Sequence, residues 1–424
     1  MLGTIKTIAI IGAGPSGLCC VKNALEYGFE VTVYEQNSQV GGLWIYTDQI
    51  GNYEYGLPIH SSMYKGVVTN IPVESMGFFN YPFPKKEKSF VSHEEVLKFY
   101  QSYANQYNLN RVIKFRCHVV NVKPTPNNRW EVLSRDLRRN TYEIRVFDAI
   151  FVCNGHYNAP YIPNFEGIDE FRGNKAHSHD YRRPEKYQDE TVLIIGCGPS
   201  GRDILHEVAP KAKKVFFSHH RNLAGYNMPS NVTQAGDVKC FKENSVQFED
   251  DAEEQISCIL FCTGYTFSFP FLSVDCGLSL QDMFLSWPLY KHLININKPT
   301  MAIVGLQICA YSYMYDLQAR LCLKFWNGDI QLPTKKQMLE EFRIEKERRV
   351  EKGNDIRQSH LLGVDQAKYL QDLSNIGQMI KIPNVLLKIY DDCNELRTQY
   401  PNTYREYNYT IIDDETFERK HIPS

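Results

Sequence analysis

Several features that would assign the chain to a common class are missing from its sequence. No run of about 18 apolar residues occurs, so a membrane-spanning helix is not expected. The formal net charge of -2 offers no positive surface for a nucleic acid. No Pro/Ser-rich tract divides the chain either. With 424 residues, 43% of them hydrophobic, it is expected to fold as a soluble protein of two or three domains.

The twelve cysteines form no CxxC pair, which argues against a dithiol redox centre and a paired-cysteine zinc site, and no other metal site is indicated. Several lie in apolar runs, among them Cys19, Cys20, Cys153 and Cys262, which favours buried free thiols over disulfides. The first residues, MLGTIKTIAIIGAG, lead directly into a strand pattern without a secretory signal. We therefore expect a cytoplasmic protein, or a secreted one if a signal was removed before this numbering begins.

One pattern occurs twice, as IIGAGPSG at residues 10–17 and as IIGCGPSG at residues 194–201. Each copy follows a β-branched run and precedes a helical pattern, which is typical of a nucleotide-binding βαβ unit. In such a turn the first glycine allows the bend, the second lets the backbone approach a pyrophosphate, and the third lets helix and strand pack closely. The sequence therefore predicts an α/β protein with two Rossmann-like dinucleotide-binding domains.

The first copy has the features of an FAD site. Its second strand, EVTVYE, ends in Glu35, whose carboxylate can accept hydrogen bonds from a ribose diol. The N-terminus of the helix offers unpaired N–H groups to a pyrophosphate. The following QVGGLW would fold back over a bulky ligand, which favours FAD over NAD. The predicted FAD contacts in this region are Gly12, Ala13, Gly14, Pro15, Ser16, Gly17, Glu35, Gly42, Leu43 and Trp44.

The second copy differs from the first where a dinucleotide-binding unit distinguishes its ligands. Counted from the last glycine of each copy, His219 corresponds to Glu35, and the second copy continues as SHHR at residues 218–221. A hydroxyl and a guanidinium can bind a 2'-phosphate that a carboxylate would repel, so the second site should prefer NADPH to NADH. Hydride would then pass from NADPH to FAD. The predicted NADP contacts are Gly196, Gly198, Ser200, Gly201, Arg202, Asp203, Ser218, His219 and Arg221.

Two similar strings indicate where each unit closes, FVCNGHY at residues 151–157 and FCTGY at 261–265. Both continue an apolar strand pattern and break at a glycine. We therefore expect the first part of an FAD-binding domain at 1–175 and an inserted NADP-binding domain at 176–290. The second part of the FAD-binding domain, with C-terminal helices, would follow at 291–424. The charged run at 335–352 is expected to form a surface helix without chemistry.

The residues around the two glycine patterns resemble the flavin-containing monooxygenases. The segment FRGNKAHSHDY at 171–181 fits that family's FxGxxxHxxx(F/Y) pattern, MYKGVVTNIP at 63–72 resembles its TNxP segment, and DLQAR at 316–320 is similar to a late FAD-contacting helix. The resemblance implies further FAD contacts at Thr69, Asn70 and Gln318. It also implies that Asn70 is the catalytic residue, hydrogen-bonded to the flavin, NADP+ or the peroxide. His177 is interpreted as a structural residue of an interdomain linker.

The resemblance also implies the reaction. NADPH reduces FAD, O2 adds at flavin C4a, and the hydroperoxide transfers its distal oxygen to a soft nucleophile, an amine nitrogen or a sulfide sulfur. The missing hydrophobic tail makes the chain more similar to soluble insect members of the family that N-oxygenate pyrrolizidine alkaloids. Members of the family often form dimers or larger assemblies, so the resemblance is also compatible with a homo-oligomer. Broad S-oxygenation, a Baeyer–Villiger oxygenation and a non-catalytic nucleotide-binding regulator are the alternatives. The Baeyer–Villiger pattern, FxGxxxHxxxWP, departs from this chain at Arg182.

Overall fold

The computed structural model of the protein describes residues 4–221, 226–278, 288–307, 312–351 and 360–423. Within these ranges no helix is both long enough and apolar enough to cross a membrane. The α-helices, numbered along the chain, are α1 (Pro15–Glu26), α2 (His93–Gln106), α3 (Pro199–Val208), α4 (Tyr313–Asn327), α5 (Lys335–Glu351), α6 (Gln366–Ile376) and α7 (Asn384–Gln399).

The largest sheet is built from strands that are distant in the sequence. Its central strands are parallel, and the two strands at one edge are antiparallel. In spatial order, and numbered along the chain, its strands are β18 (Leu289–Tyr290), β19 (Ile294–Asn295), β20 (Met301–Ile303), β7 (Ala149–Val152), β1 (Thr7–Ile11), β2 (Glu30–Glu35) and β3 (Ile113–Phe115).

The strands of a second sheet lie between β7 and β18 in the sequence, and this sheet is parallel throughout. Its strands, in spatial order, are β12 (Val232–Ala235), β11 (Lys214–Ser218), β10 (Thr191–Ile195), β16 (Cys258–Phe261) and β9 (Asn174–His177). The predicted domain limits stay a prediction. One of them, 175/176, falls inside β9, and the other, 290/291, directly follows β18, a strand of the first sheet.

The remaining strands form small antiparallel sheets beside the two large ones. A three-stranded sheet contains β4 (Cys117–Pro124), β5 (Trp130–Asp136) and β6 (Thr141–Phe147), and another contains β13 (Val238–Phe241), β14 (Ser245–Phe248) and β15 (Glu253–Gln255). The two-stranded pairs are β8 (Ala159–Pro160) with β17 (Tyr265–Thr266), and β21 (Tyr407–Ile411) with β22 (Phe417–His421).

Strand β1 is buried on both faces, which explains its continuous apolar sequence. Ile8 and Ile10 join a core that includes residues of α1, α4, α6 and α7. Ala9 and Ile11 join a separate core with residues of β4 and β5. Strand β10 alternates in the same way between two cores of its own. Each parallel sheet is therefore the middle layer of a separate unit.

The two glycine turns have almost the same backbone geometry. The N–H of Gly12 donates to the Tyr34 carbonyl at 2.8 Å, and the N–H of Gly196 donates to the Ser218 carbonyl at 3.0 Å. Their φ angles are +103° and +104°, and a Cβ on either would lie 2.5 Å from a carbonyl oxygen of the neighbouring strand end. This register aligns the acid that ends β2 with the residue that follows β11, as counting along the sequence predicts.

A close contact between α3 and the turn after β10 can be tested by adding a single methyl group. A Cβ at Gly201 would lie 2.0 Å from the Gly196 carbonyl oxygen, and backbone at this point cannot move without separating α3 from β10. We predict that Gly201→Ala lowers the free energy of unfolding by about 2 kcal/mol or more, as overpacking of a core does. Chemical denaturation measures the effect.

Gly236→Ala is the control in the same unit, because a Cβ there meets no atom within 4 Å. Its free energy of unfolding should change by less than about 0.5 kcal/mol. Equal stability of the Gly201→Ala protein and the wild type would contradict the close packing of α3 on β10.

Candidate cofactor and active site

A cleft opens at the carboxyl ends of β1, β2 and β7, the edge at which parallel sheets of this kind bind ligands. About 1200 Å³ of space within it is not occupied by protein, open solvent at its mouth included. Most of the residues predicted for FAD line it: Gly12, Gly14, Pro15, Ser16, Glu35, Gly42, Leu43 and Trp44.

Glu35 is only 5% exposed, and each of its carboxylate oxygens accepts a hydrogen bond from a backbone N–H. Oε2 accepts from the Ala13 N–H at 2.8 Å, and Oε1 accepts from the Asn37 N–H at 2.7 Å. Burial raises the pKa of the Glu35 carboxyl group, while these backbone donors act in the opposite direction. Each oxygen retains a further lone pair, so Glu35 can hold the glycine turn and also accept a ribose hydroxyl. Ala13 takes part through its backbone N–H, which binds Glu35, and it does not line the cleft.

Glycines keep the floor of this cleft free of side chains. Gly42 has a φ of +55°, and a Cβ there would lie 2.9 Å from the Cα of Gly14. The N–H of Gly41 donates to the Ala13 carbonyl at 3.1 Å, which folds this segment back over the start of α1. Bare backbone beside a helix N-terminus admits a pyrophosphate closely, so the cleft fits FAD. Gly17 serves packing, since a Cβ there would lie 2.0 Å from a backbone carbonyl oxygen.

Two residues implied by the family resemblance support neighbouring backbone instead of lining this cleft. The hydroxyl of buried Thr69 accepts from the Val91 N–H at 3.2 Å. The amide oxygen of fully buried Gln318 accepts from the Gly305 N–H at 2.9 Å, and its amide nitrogen donates to the Tyr369 hydroxyl at 2.8 Å. Because Gly305 itself lines the cleft, Gln318 fixes part of the wall from behind.

Asn70 lies in a second, smaller cleft between the two units. Arg202 and Asp203 of α3 form one side of this cleft, and Arg397 and Arg405 from the C-terminal part of the chain form another. The structure therefore brings Asn70, predicted for the FAD side, next to the helix that carries the second glycine turn. Asn70 is half-buried, so its amide group can meet a ligand bound at this junction.

The carboxylate of Asp203 is engaged by the protein itself. Arg405 donates to both of its oxygens, from Nη1 to Oδ1 at 3.0 Å and from Nη2 to Oδ2 at 2.9 Å. The Tyr64 hydroxyl lies 3.5 Å from Oδ2. A carboxylate repels phosphate, so this pairing gives the side chain of Asp203 a role between the units rather than on a pyrophosphate.

The second glycine turn is open to a ligand, and the side chains at and after the end of β11 differ in whether the protein already hydrogen-bonds them. A Cβ at Gly198 would meet no atom within 4 Å. The Ser218 hydroxyl donates to the Gly236 carbonyl at 2.7 Å, and Nδ1 of His219 accepts from the Arg221 N–H at 3.2 Å. Burial lowers the pKa of His219, which disfavours the charged form of its ring. Among these residues the exposed guanidinium of Arg221 is therefore the charged group that can meet a 2'-phosphate. The other predicted residues of this side, Gly196, Ser200, Gly201 and Arg202, lie at the turn and in the first turn and a half of α3.

The FxGxxxHxxx(F/Y) segment ties the second unit to the rest of the chain. Nδ1 of His177 accepts from the His179 N–H at 3.0 Å, which agrees with the structural interpretation of His177. The Tyr181 hydroxyl donates to Glu207 of α3 at 2.7 Å. Arg182, where the Baeyer–Villiger pattern has proline, is 6% exposed and donates to the Ser61 carbonyl at 3.2 Å. Through Ser61, Arg182 therefore holds the segment that leads to Asn70.

Sequence reasoning missed several residues of both clefts. His60, His156 and Asn158 line the first cleft, and Nδ1 of His156 lies 3.0 Å from the Gly305 carbonyl oxygen. Burial lowers the pKa of His156 to about 4, so this ring is a neutral donor and acceptor. The string FVCNGHY was available as a signal, because the residue after a parallel strand points to the ligand edge. It was interpreted only as a domain crossing.

Comparison with known proteins identifies the family of the chain. The family pattern described as flavin-binding monooxygenase-like matches residues 5–224 and 220–412, which is most of the chain. The chain belongs to the flavin-binding monooxygenase-like family. This membership confirms the predicted family, the monooxygenase reaction and the cofactors FAD and NADPH.

Two curated relatives and one solved structure illustrate the similarity. Senecionine N-oxygenase of Tyria jacobaeae is 31% identical over 424 residues, with 98% of this chain and 92% of that protein covered. Flavin-containing monooxygenase FMO GS-OX3 of Arabidopsis thaliana is 33% identical over 387 residues, with 87% and 83% covered. The structure of S-allyl-L-cysteine S-oxygenase from Allium sativum matches with a TM-score of 0.89 and 31% identity, covering 96% and 95%. The predicted two-domain fold class is confirmed.

The exposed position of Arg221 leads to a prediction about cofactor choice. Arg221→Ala should weaken NADPH binding by about tenfold or more and leave NADH binding nearly unchanged, because a charge-assisted contact to the 2'-phosphate contributes about 1.5–3 kcal/mol. Titration of each nicotinamide cofactor into the FAD-loaded protein measures both affinities. Arg172→Ala is the control, an exposed arginine of the same unit that pairs with Glu243 at 2.9 Å. An equal loss for NADPH and NADH would refute the phosphate role.

Proposed function

We propose that the protein is an NADPH- and O2-dependent monooxygenase that oxygenates the nitrogen of tertiary amine alkaloids, with pyrrolizidine alkaloids as the class to test first. The observation that carries the reaction type is the position of Asn70 beside α3, where a residue of the first unit adjoins the glycine turn of the second. The similarity to senecionine N-oxygenase over 98% of the chain supports the substrate class.

In this proposal each glycine turn holds one cofactor. Glu35 binds the ribose of FAD, Gly14 and Gly198 admit the two pyrophosphates, and Arg221 binds the 2'-phosphate of NADPH. Bound FAD, reduced by NADPH, would activate O2, so that one oxygen atom could pass to the lone pair of the substrate while the other leaves as water. No acid/base pair of the protein is then needed for the transfer. The remaining task of the protein is to align the two ligands and to keep water away from the reacting atoms.

Asn70 is proposed as the residue of the chain that contacts the reacting groups. Its amide provides both a donor and an acceptor, and it lies where ligands of the two units would approach each other. Because it carries no charge, it can hydrogen-bond there without adding or removing a proton. Thr69 and Gln318 contribute indirectly, by fixing the backbone next to Asn70 and at the wall of the first cleft.

S-oxygenation is the second candidate. A relative with a similar identity, S-allyl-L-cysteine S-oxygenase, matches the fold with a TM-score of 0.89. A nitrogen and a sulfur lone pair can attack the same activated oxygen, so the shape and polarity of the substrate site decide between them. Baeyer–Villiger oxygenation is less well supported, because Tyr181 and Arg182 stand where that pattern has tryptophan and proline, and Arg182 is held by backbone carbonyls.

A panel of substrates tests the proposal directly. A pyrrolizidine alkaloid, a simple tertiary amine and a thioether are each incubated with the FAD-loaded protein, NADPH and O2, and mass spectrometry identifies the products. We expect an N-oxide, with the highest kcat/KM for the alkaloid. A higher kcat/KM for the thioether would assign the protein to S-oxygenation. Absence of any oxygenated product would contradict the proposed function as a whole.

The role of Asn70 can be separated from flavin reduction. Asn70→Ala should leave the rate of flavin reduction by NADPH within about threefold of wild type and lower the product formed per NADPH by about tenfold or more, the loss expected for one active-site donor. Asn70→Asp is the matched variant, because it keeps the size of the side chain and removes the N–H donors. Unchanged coupling of NADPH use to oxygenation in both variants would show that Asn70 is structural.

A further inference from the structure

We infer that Arg405 is a positioning residue for the oxygenation, because it holds the backbone that carries Asn70 against α3 of the second unit. The inference rests on the proposed function, in which Asn70 contacts the reacting groups. It concerns a residue far away in the sequence that no motif of the chain singles out. Arg405 lies in the short turn Tyr404–Glu406, directly before β21.

The guanidinium of Arg405 joins the two units with three hydrogen bonds. Nε donates to the Thr69 carbonyl at 3.0 Å, while Nη1 and Nη2 donate to the two oxygens of Asp203 at 3.0 and 2.9 Å. A guanidinium suits this task because its donors lie in one plane with fixed directions, and a lysine could not reproduce the set. One side chain therefore fixes the distance between the Thr69 backbone and α3.

This ion pair is better protected from solvent than an ordinary surface pair. The side chains of Arg405 and Asp203 are 28% and 26% exposed, and the guanidinium lies 5.0 Å from the ring centroid of Tyr404. Burial alone would lower the pKa of Arg405, but the neighbouring Asp203 raises it above its usual value, so the charge is retained. We call the contacts of Arg405 with Thr69 and Asp203 the strut between the units; removal of Arg405 would leave the Asp203 carboxylate partly buried without its counter-charge.

The contact with Thr69 acts on Asn70 through the peptide bond. The Thr69 carbonyl and the Asn70 N–H belong to the same planar unit, so holding that oxygen fixes the orientation of the plane from which Asn70 begins. The preceding N–H, that of Thr69, donates to the Val91 carbonyl at 2.9 Å. Without Arg405 the plane could rotate. A displacement of about 1 Å in an aligned site can reduce a rate by about a hundredfold.

Other contacts hold the C-terminal segment in place, so the loss of Arg405 need not detach it. The Asn408 side chain accepts from the Ser89 N–H at 3.0 Å, and the Tyr409 N–H donates to the Ser89 hydroxyl at 2.8 Å. Asn402 exchanges two hydrogen bonds of 3.0 Å with the backbone of Asn227. A variant at position 405 therefore tests the strut itself rather than the folding of the segment.

The test compares FAD-loaded wild type, Arg405→Gln and Arg405→Lys with the control Arg419→Gln. Arg419, on β22 of the same C-terminal hairpin, pairs with Asp392 of α7 at 2.6 Å, and neither residue lines one of the two clefts. Two quantities are measured for each protein with saturating NADP+ or NADPH. The first is hydrogen–deuterium exchange of the peptide that covers residues 68–72. The second is the hydrogen peroxide released per NADPH oxidised in the presence of the best substrate.

For Arg405→Gln we expect at least about tenfold faster exchange of the 68–72 peptide and a severalfold higher yield of peroxide, with flavin reduction within about threefold of wild type. Arg405→Lys should recover part of both effects, since it can pair with Asp203 but cannot also hold Thr69. Arg419→Gln should match the wild type. Exchange and peroxide yield that are unchanged in Arg405→Gln, or changed equally in Arg419→Gln, would overturn the inference.

The failure of the proposed function would be recognised separately. If the wild type forms neither N-oxide nor sulfoxide, the proposed function fails. The exchange measurement still tests whether Arg405 holds the backbone of residues 68–72, because it requires bound cofactor but no turnover. Fast exchange restricted to the Arg405 variants would then support the structural link between the units, whereas wild-type exchange in those variants would refute it.

Discussion

The arrangement of the two dinucleotide units depends on one face of α3. Asp203 and Glu207, one helical turn apart, both face groups outside their own unit. Asp203 binds Arg405, which also holds the Thr69 carbonyl. Glu207 accepts a hydrogen bond from the Tyr181 hydroxyl. Glu207 also packs closely on Gly66, because a Cβ added to Gly66 would lie 2.0 Å from the Glu207 carboxylate. The helix that begins at the second glycine turn thus carries, on its side, the contacts that place it against the TNxP segment.

This arrangement explains how one fold can serve two cofactors. Both units use the same glycine geometry, and they differ at the end of the second strand, where one has the buried acid Glu35 and the other has His219 followed by the exposed Arg221. We propose that these residues select the cofactors, so that hydride transfer requires only that the two ligands meet. The contacts of α3 with the TNxP segment bring Asn70 to the junction, where no charged catalytic group is required.

The parts that the sequence predicted well are local in the chain. Fold class, the register of the two glycine turns and the walls of the first cleft follow from short patterns whose geometry is set by neighbouring residues. The second cleft is not local, since the bond from Arg405 to Thr69 joins residues 336 positions apart and a lone arginine gives no signal of it. Asp203 and Ser218 were predicted as NADP contacts by position, but their partners, Arg405 and the Gly236 carbonyl, are visible only in three dimensions.

A structure of the protein with FAD and NADP+ bound together tests the central claim most directly. The account predicts the FAD ribose within hydrogen-bond distance of Glu35, the 2'-phosphate of NADP+ against Arg221, and the Asn70 amide beside the flavin or the nicotinamide. NADP+ in the first cleft, or both cofactors bound with Asn70 remote from either ring, would contradict it.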